Sequence, residues 1–196
     1  MHSLPDWEKR FPKIPQHGPF WCIPASIENI LRYSGFDALI QEDLILGYCR
    51  RFGEDGLLKI LSHAPPQAVP VSIRGLSDGA ILQLAKQCAF RHGNFETFAE
   101  PVQKNGAFQK AKLSLDYIGS IPAKSDYFTG MTNAIKANCP VLISVNNLNK
   151  TAHIQAVVEV QPDRFKVYDP ALHKIAEYSL ANCVFGPDLL VLKPSP

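Results

Sequence analysis

The chain has 196 residues, of which 46% are hydrophobic and 19% are charged, a length and composition that suit one folded domain and argue against global disorder. Lys and Arg number 20 against 18 Asp and Glu, and a net charge of +2 argues against a nucleic-acid-binding surface. We therefore expect one soluble domain over residues 1–196, with residues 1–14 as an extended lead-in and no nucleic-acid partner.

The first half of the chain is predicted to be mainly helical. Residues 1–20 hold four prolines and are interpreted as extended or looping chain. Apolar side chains at helical spacing predict a helix over residues 22–34, which Gly35 ends. Further predictions are helices over residues 39–52 and 77–88, the second capped by Ser77 or Asp78, and a short helical turn over residues 57–61.

Residues 90–122 give no clear pattern. Short apolar pieces, at Val102 and over residues 113–118, fit strands or loop equally well. No repeat or low-complexity stretch occurs in the chain. This segment therefore carries no prediction.

The second half predicts one helix followed by antiparallel strands. Ser125 can cap a helix that runs to about Asn138, and the apolar run over residues 141–145 is typical of a central strand. Further strands are predicted over residues 152–160, 165–168, 175–178 and 189–192, with one helical turn over residues 179–185 that Gly186-Pro187 stops. Helices first and antiparallel strands last define an α+β fold.

The sequence shows no segment typical of export or of a membrane span. Residues 1–10 lack the apolar core of a signal peptide. No apolar run approaches the ~18 residues that span a bilayer. The default expectation is a cytoplasmic protein, with secretion by a signal-less route left open.

The five cysteines lie far apart, and no two form a C-x-x-C pair. This spacing argues against a zinc ribbon and against a disulfide framework. Most cysteines are small, inert, buried side chains, and we expect this of all but one. The expected inert cysteines are Cys49, Cys88, Cys139 and Cys183.

Cys22 is the cysteine best placed to act as a nucleophile. It begins the helix predicted over residues 22–34, where the helix dipole and free N–H groups favour a thiolate over a thiol. Cys88 and Cys139 fall instead at predicted helix C-terminal ends, where the dipole disfavours a thiolate. Because an inert thiol is the ordinary alternative, the assignment depends on partners elsewhere in the chain.

A cysteine nucleophile needs a base, and the base needs a group that orients it. His153 begins a predicted strand, where it can project from a rigid support into a cleft. Antiparallel pairing of residues 152–160 with 165–168 places Asp169 near the same end of the sheet. Gln16 lies six residues before Cys22, and its amide can donate to an oxyanion beside the Cys22 N–H.

Taken singly, three of these residues have plain structural explanations: a histidine that starts a strand, an Asp-Pro turn and a loop glutamine. Taken together, Gln16, Cys22, His153 and Asp169 resemble the active-site set of papain-like cysteine peptidases in order and spacing. The start of the motif, QHGPFWCIPAS over residues 16–26, is similar to the Q-x5-C-x-P-A-S start of the bacteriocin-processing branch, which removes double-glycine leaders.

The second half of the chain continues this resemblance. Matching pieces are PVLISV at 140–145, Ala152-His153, VYDP at 167–170 and the closing LLVL at 189–192. The likeness covers roughly residues 15–46 and 125–193. It departs from the branch at Ile23, where glycine is usual, and it includes no transporter segment.

The resemblance implies a papain-like α+β domain with a central helix at the nucleophile and a C-terminal antiparallel sheet. It implies a cysteine-dependent hydrolase, a peptidase or amidase, that acts on an amide bond of a peptide or protein. Cys22 would be the nucleophile, His153 the base, Asp169 its orienter and Gln16 the oxyanion donor, with no metal or organic cofactor.

Two alternatives stay open. The same residues support deamidation or acyl transfer to a nucleophile other than water. A catalytically silent module would use the cleft only to hold a peptide. Neither the substrate nor the oligomeric state is predicted.

Overall fold

The computed structural model of the protein describes residues 1–19, 21–50, 75–87, 95–146 and 152–195. In this part of the chain, helices prevail before residue 137 and strands after it, which confirms the α+β class. The helices are α1 (Trp7–Arg10), α2 (Cys22–Tyr33), α3 (residues 41–50), α4 (Asp78–Gln87), α5 (Phe95–Gln103), α6 (Gly106–Lys110) and α7 (Lys124–Lys136). The strands are β1 (His2–Ser3), β2 (Leu113–Ile118), β3 (Val141–Asn146), β4 (Ala152–Val160), β5 (Arg164–Asp169), β6 (Lys174–Ser179) and β7 (Val184–Pro194).

The strands form one antiparallel sheet in the order β2-β7-β3-β4-β5-β6, with β1 paired to the far end of β4. Residues 141–145 of β3 and residues 154–158 of β4 are all buried. Because successive strand residues face opposite sides, both faces of the central sheet are covered. Helix α2 packs on β3 and β4, and α7 packs on β1, β3, β4 and β7.

Helix α2 begins and ends close to where its sequence predicts. Ile27 and Ile30 lie in its fully buried apolar stripe. The Ser26 hydroxyl donates to the carbonyl oxygen of Ile154 at 3.2 Å and joins the first turns of α2 to β4. Gly35 has φ +82°, the left-handed conformation that commonly ends a helix.

The lead-in is more ordered than its prolines indicate. Strand β1 pairs with β4, and α1 places Trp7 in the core with 8% of its surface exposed. Leu4 and Phe11 are also buried. The expectation of an extended or looping lead-in is therefore wrong for residues 7–10, which form a helix between Pro5 and Pro12 because Trp7 gains from burial.

The middle of the chain contains elements that the sequence left undecided. Val102 lies in α5, and residues 113–118 form β2. A proline within α5, Pro101, hides its helical pattern, and the β-carbon position of Gly47 is 3.3 Å from the Pro101 ring. The helical turn predicted over residues 57–61 lies outside the described residues.

Two predictions in the second half are wrong. Helix α7 begins at Lys124 with Ala123 at the N-cap, so Ser125 lies inside the first turn and does not cap it. The helical turn predicted over residues 179–185 is absent from this described segment, because β6 extends to residue 179 and β7 begins at residue 184.

Gly186-Pro187 does not stop the chain but forms a bulge within β7. Ile143 of β3 pairs with Leu189 of β7, but Val145 of β3 pairs with Phe185, so β7 has extra residues between the two pairs. A β-carbon on Gly186 would lie 2.5 Å from the Ser144 hydroxyl oxygen, so glycine is required for this close approach.

Candidate active site

The four residues singled out by sequence come from two sides of the candidate site, a helical side and a sheet side. Cys22 begins α2, and Gln16 lies in the loop before it. His153 lies near the start of β4, and Asp169 ends β5. Since α2 packs on β4, the first residue of the helix faces the start of that strand.

His153 and Asp169 are joined by a short hydrogen bond. The distance from His153 Nε2 to Asp169 Oδ1 is 2.7 Å, and their side chains are 21% and 4% exposed. A carboxylate only accepts, so Nε2 carries the hydrogen. The Nδ1 atom of His153 is then the ring nitrogen left to face Cys22.

The turn that follows β5 and a buried glutamine hold Asp169 in place. Its Oδ1 atom also accepts from the backbone N–H of Ala171 at 2.9 Å and of Leu172 at 3.1 Å. Its Oδ2 atom accepts from Gln155 Nε2 at 2.8 Å. Burial of the carboxylate raises the pKa of Asp169, but the hydrogen bonds from His153, Leu172 and Gln155 outweigh burial, so the pKa is lowered.

Gln155 is a site residue that the sequence analysis missed. It is fully buried, and its Nε2 also lies 3.1 Å from the Tyr178 hydroxyl on β6. Gln155 is two residues from His153, so both side chains lie on the same face of β4. Ala156 pairs with Tyr168, and the next residues along the two strands, Gln155 and Asp169, therefore lie opposite each other. Its place on the same face of β4 as His153 is the signal in the sequence that could have identified Gln155.

Cys22 completes the arrangement around His153. Burial opposes a charge on the imidazole, but hydrogen bonds to Asp169 and to the Cys22 sulfur outweigh it and raise the pKa of His153 to about 9. The imidazole is therefore protonated at neutral pH.

The other described cysteines lie in different environments. Cys22 is partly exposed, whereas Cys49, Cys139 and Cys183 are buried. Burial raises the pKa of the Cys49 thiol to about 12 and of the Cys183 thiol to about 11. These sulfurs stay protonated at neutral pH, so Cys22 differs from them in both access and partners.

The loop before Cys22 is packed closely at two points. Trp21 is fully buried, and its indole N–H donates to the Ala85 carbonyl on α4 at 3.2 Å. A β-carbon on Gly18 would lie 2.7 Å from the Trp21 ring, so this position requires glycine. Ile23 is 8% exposed and belongs to the core, and its side chain therefore packs inward.

Gln16 is half-buried beside the turn that carries Asp169. Its backbone N–H donates to the Pro170 carbonyl at 3.0 Å. Its Oε1 atom is buried and has no hydrogen-bond partner among the described residues. This backbone hydrogen bond joins the helical side of the candidate site directly to the sheet side.

Two further features bear on the chemistry. In the described part of the chain, no group of three or more His, Cys, Asp and Glu residues is arranged to hold a metal ion. Of the helices described, none combines the length and apolar character needed to cross a bilayer.

Comparison with solved structures defines the class of fold. The peptidase domain of Streptococcus ComA, a bifunctional ABC transporter of a quorum-sensing pathway, superposes with a TM-score of 0.51 at 14% identity. The match covers 93% of this chain and 97% of that chain. This chain therefore has the papain-like α+β fold, in the form found in the ComA peptidase domain, as the motif over residues 16–26 implies.

A second match is weaker. The avirulence protein AvrPphB of Pseudomonas matches with a TM-score of 0.21 at 12% identity, over 78% of this chain and 92% of that chain. A score this low carries no argument about fold or function. The sequence matches no family model and no curated protein.

Proposed function

We propose that this protein is a cysteine-dependent hydrolase, a peptidase or amidase, that cleaves amide bonds in a peptide or protein. One observation carries the proposal: the His153 imidazole bonds to Asp169 at 2.7 Å and interacts with the Cys22 sulfur, which raises the pKa of His153. This is the chain of nucleophile, base and orienter that acyl transfer needs. The fold shared with a peptidase domain supports a peptide as the substrate class.

In the proposed first step, the Cys22 thiolate attacks the amide carbonyl and forms a C–S bond. The oxyanion that results accepts from the Gln16 amide and the Cys22 backbone N–H. His153 then gives its Nδ1 proton to the leaving nitrogen, the C–N bond breaks, and a thioester remains on Cys22. A pKa of about 9 keeps that proton available at neutral pH.

In the second step, His153 takes a proton from water while the water oxygen attacks the thioester carbon. The C–S bond breaks, the acid leaves, and the thiolate and the imidazolium are restored. Asp169 holds the Nε2–H of His153 throughout, so Nδ1 faces the reaction in both steps.

The test is mass spectrometry of a proteome-derived peptide library after incubation with the protein and with Cys22→Ala. We expect new peptide termini with the natural protein, none with Cys22→Ala, and an unchanged result with Cys183→Ala. Cys183 is the matched control because its thiol is buried.

Other outcomes would replace the proposal. A gain of about one dalton at glutamine, without new termini, would indicate a deamidase, and joined peptides would indicate acyl transfer. No change in the library, together with iodoacetamide labelling of Cys22 no faster than of Cys139, would indicate a silent binding module.

A further inference from the structure

One buried side chain outside the proposed catalytic set contacts both sides of Gln16. Gln41, the first residue of α3, has no exposed surface. Its Nε2 donates to the Pro15 carbonyl at 3.0 Å, and its Oε1 accepts from the His17 backbone N–H at 2.9 Å. The two peptide groups that bracket Gln16 are therefore held by a single amide.

The Gln41 amide is itself held in one orientation. Glu28 on α2 is 1% exposed, and its Oε2 accepts from Gln41 Nε2 at 3.0 Å and from the Gln41 backbone N–H at 3.3 Å. Arg32 donates to the other Glu28 oxygen at 2.9 Å. A flipped amide would set its oxygen against the Pro15 carbonyl and the Glu28 carboxylate, so only the observed orientation is satisfied.

Hydrogen bonds hold the loop at two further points, Ile14 and the backbone of Gln16. Asn29 exchanges two hydrogen bonds with the backbone of Ile14, each 2.8 Å long. The Gln16 N–H bonds to Pro170. Residues 11–16 lie in no helix or strand, so side chains take the place of the backbone ladder that fixes β4 and β5.

From this geometry we propose that Gln41 is a positioning residue that sets the place of the Gln16 amide beside Cys22. This inference rests on the proposed function, since it assumes that Gln16 donates to an oxyanion. Oxyanion donors act only at the right distance from the developing charge. A shift of about 1 Å in a positioned group can lower a rate about 100-fold.

Two small probes of Cys22 separate this role from general stability. p-Nitrophenyl acetate acylates the thiolate through an oxyanion: a C–S bond forms, the C–O bond breaks, and p-nitrophenolate leaves. Iodoacetamide alkylates the same thiolate by displacement of iodide, without an oxyanion. After subtraction of the rates of Cys22→Ala, the ratio of acylation to alkylation reports on the oxyanion site alone.

We expect Gln16→Ala to lower this ratio about 100-fold, and Gln41→Met, which keeps the side-chain length, to lower it about 10-fold or more. The double variant should be no lower than Gln16→Ala, because Gln41 acts through Gln16. Arg32→Met is the matched control: it opens the same buried network on the side away from the loop and should leave the ratio unchanged.

The inference is overturned if Gln41→Met keeps the natural ratio while Gln16→Ala lowers it, or if the two losses multiply. It is also overturned if Gln16→Ala leaves the ratio unchanged, since Gln41 then has no oxyanion donor to position. If Gln41→Met does not fold, Gln41→Asn, which keeps the amide on a shorter stem, should lower the ratio in the same direction. The proposed function itself fails in a different way, when Cys22→Ala reacts with both probes as fast as the natural protein.

Discussion

The two sides of the candidate site are held by different kinds of interaction. On the sheet side, His153 and Asp169 lie on paired strands, and the backbone ladder sets their separation. On the helical side, Gln16 lies in a loop that side-chain amides hold in place. Strand pairing needs no particular side chain, whereas the loop depends on Gln41 and Asn29. On the sheet side, Gln155 adds to what the backbone ladder already fixes, whereas on the helical side Gln41 and Asn29 take the place of a ladder.

The largest effect that separates the two sides is expected at His153. We expect His153→Ala to lower the rate of peptide cleavage about 1000-fold, because both proton transfers lose their carrier. Initial rates on a peptide found in the library experiment measure this loss. His2→Ala, an exposed histidine on β1, is the control, and an equal loss there would count against a specific role for His153.

Removal of Asp169 tests the orientation of the base. Asp169→Ala is expected to lower kcat about 100-fold. Asp169→Asn should lose less, because its amide oxygen still accepts from His153 Nε2 at the position where Oδ1 lies 2.7 Å away. Equal losses in the two variants would mean that charge, and not orientation, is the contribution of Asp169.

The pH dependence of activity reports on the same pair of residues. Activity should fall as pH rises through about 9, because His153 then loses the proton it gives to the leaving nitrogen. Folding raises the pKa of His153 from 6.5 to about 9. The contribution of His153 to the free energy of unfolding is therefore complete below pH 6.5 and is lost as pH rises from 6.5 to about 9. Asp169→Asn removes a charge that favours the imidazolium, so the alkaline limb of the kcat/KM profile should move to lower pH. A limb that stays in place would contradict this assignment.

Gln155 supports the sheet side, and a smaller effect is expected there. Gln155→Leu removes the donor to Asp169 Oδ2, so the pKa of Asp169 should rise while its bond to His153 remains. Folding lowers the pKa of Asp169 below its ordinary value of 3.8. Asp169 therefore stabilises the fold at pH values above 3.8, and this contribution is lost as pH falls further. The midpoint of acid unfolding should therefore move to higher pH, with a loss of activity of about 10-fold or less. Gln83→Leu, at an exposed position of α4, should leave the midpoint unchanged.

The smallest effect is expected at the contact that joins the two sides. Ser26→Ala removes the 3.2 Å bond to the Ile154 carbonyl and should lower the free energy of unfolding by about 1 kcal/mol. Urea denaturation measures this change. Ser34→Ala, an exposed residue at the end of α2, is the control, and an equal loss in both variants would assign no special role to the docking contact.

Prediction from sequence succeeded where the pattern was local. The apolar spacing over residues 22–34 and the runs at 141–145 and 152–160 specify a helix and two strands whose observed bounds differ by two residues or fewer. It failed where a short helix forms between two prolines, as in the lead-in, or where a bulge takes up glycine and proline, as at Gly186-Pro187. In these places, tertiary packing outweighs the local preference of the backbone.

The candidate site divides in the same way. Cys22 at the start of a helix and His153 near the start of a strand follow from residue type and position alone, and the short turn over residues 161–164 brings Asp169 back beside His153. Gln155 and Gln41 are ordinary polar residues in their own elements. Their contacts join segments 14 and 24 residues apart, and no pattern within either segment specifies them.

The sequence by itself determined helix α2, the strands β3 and β4 and the α+β class, because these follow from periodicity, and it predicted the set of Cys22, His153, Asp169 and Gln16 from spacing and the motif over residues 16–26. Only the tertiary structure decided that Ile23 packs inward, that Asp169 receives four donors and that Gln41 holds the Gln16 loop. The physical reason is that periodicity records which face of an element is buried, whereas a hydrogen bond between distant buried side chains depends on how two elements meet.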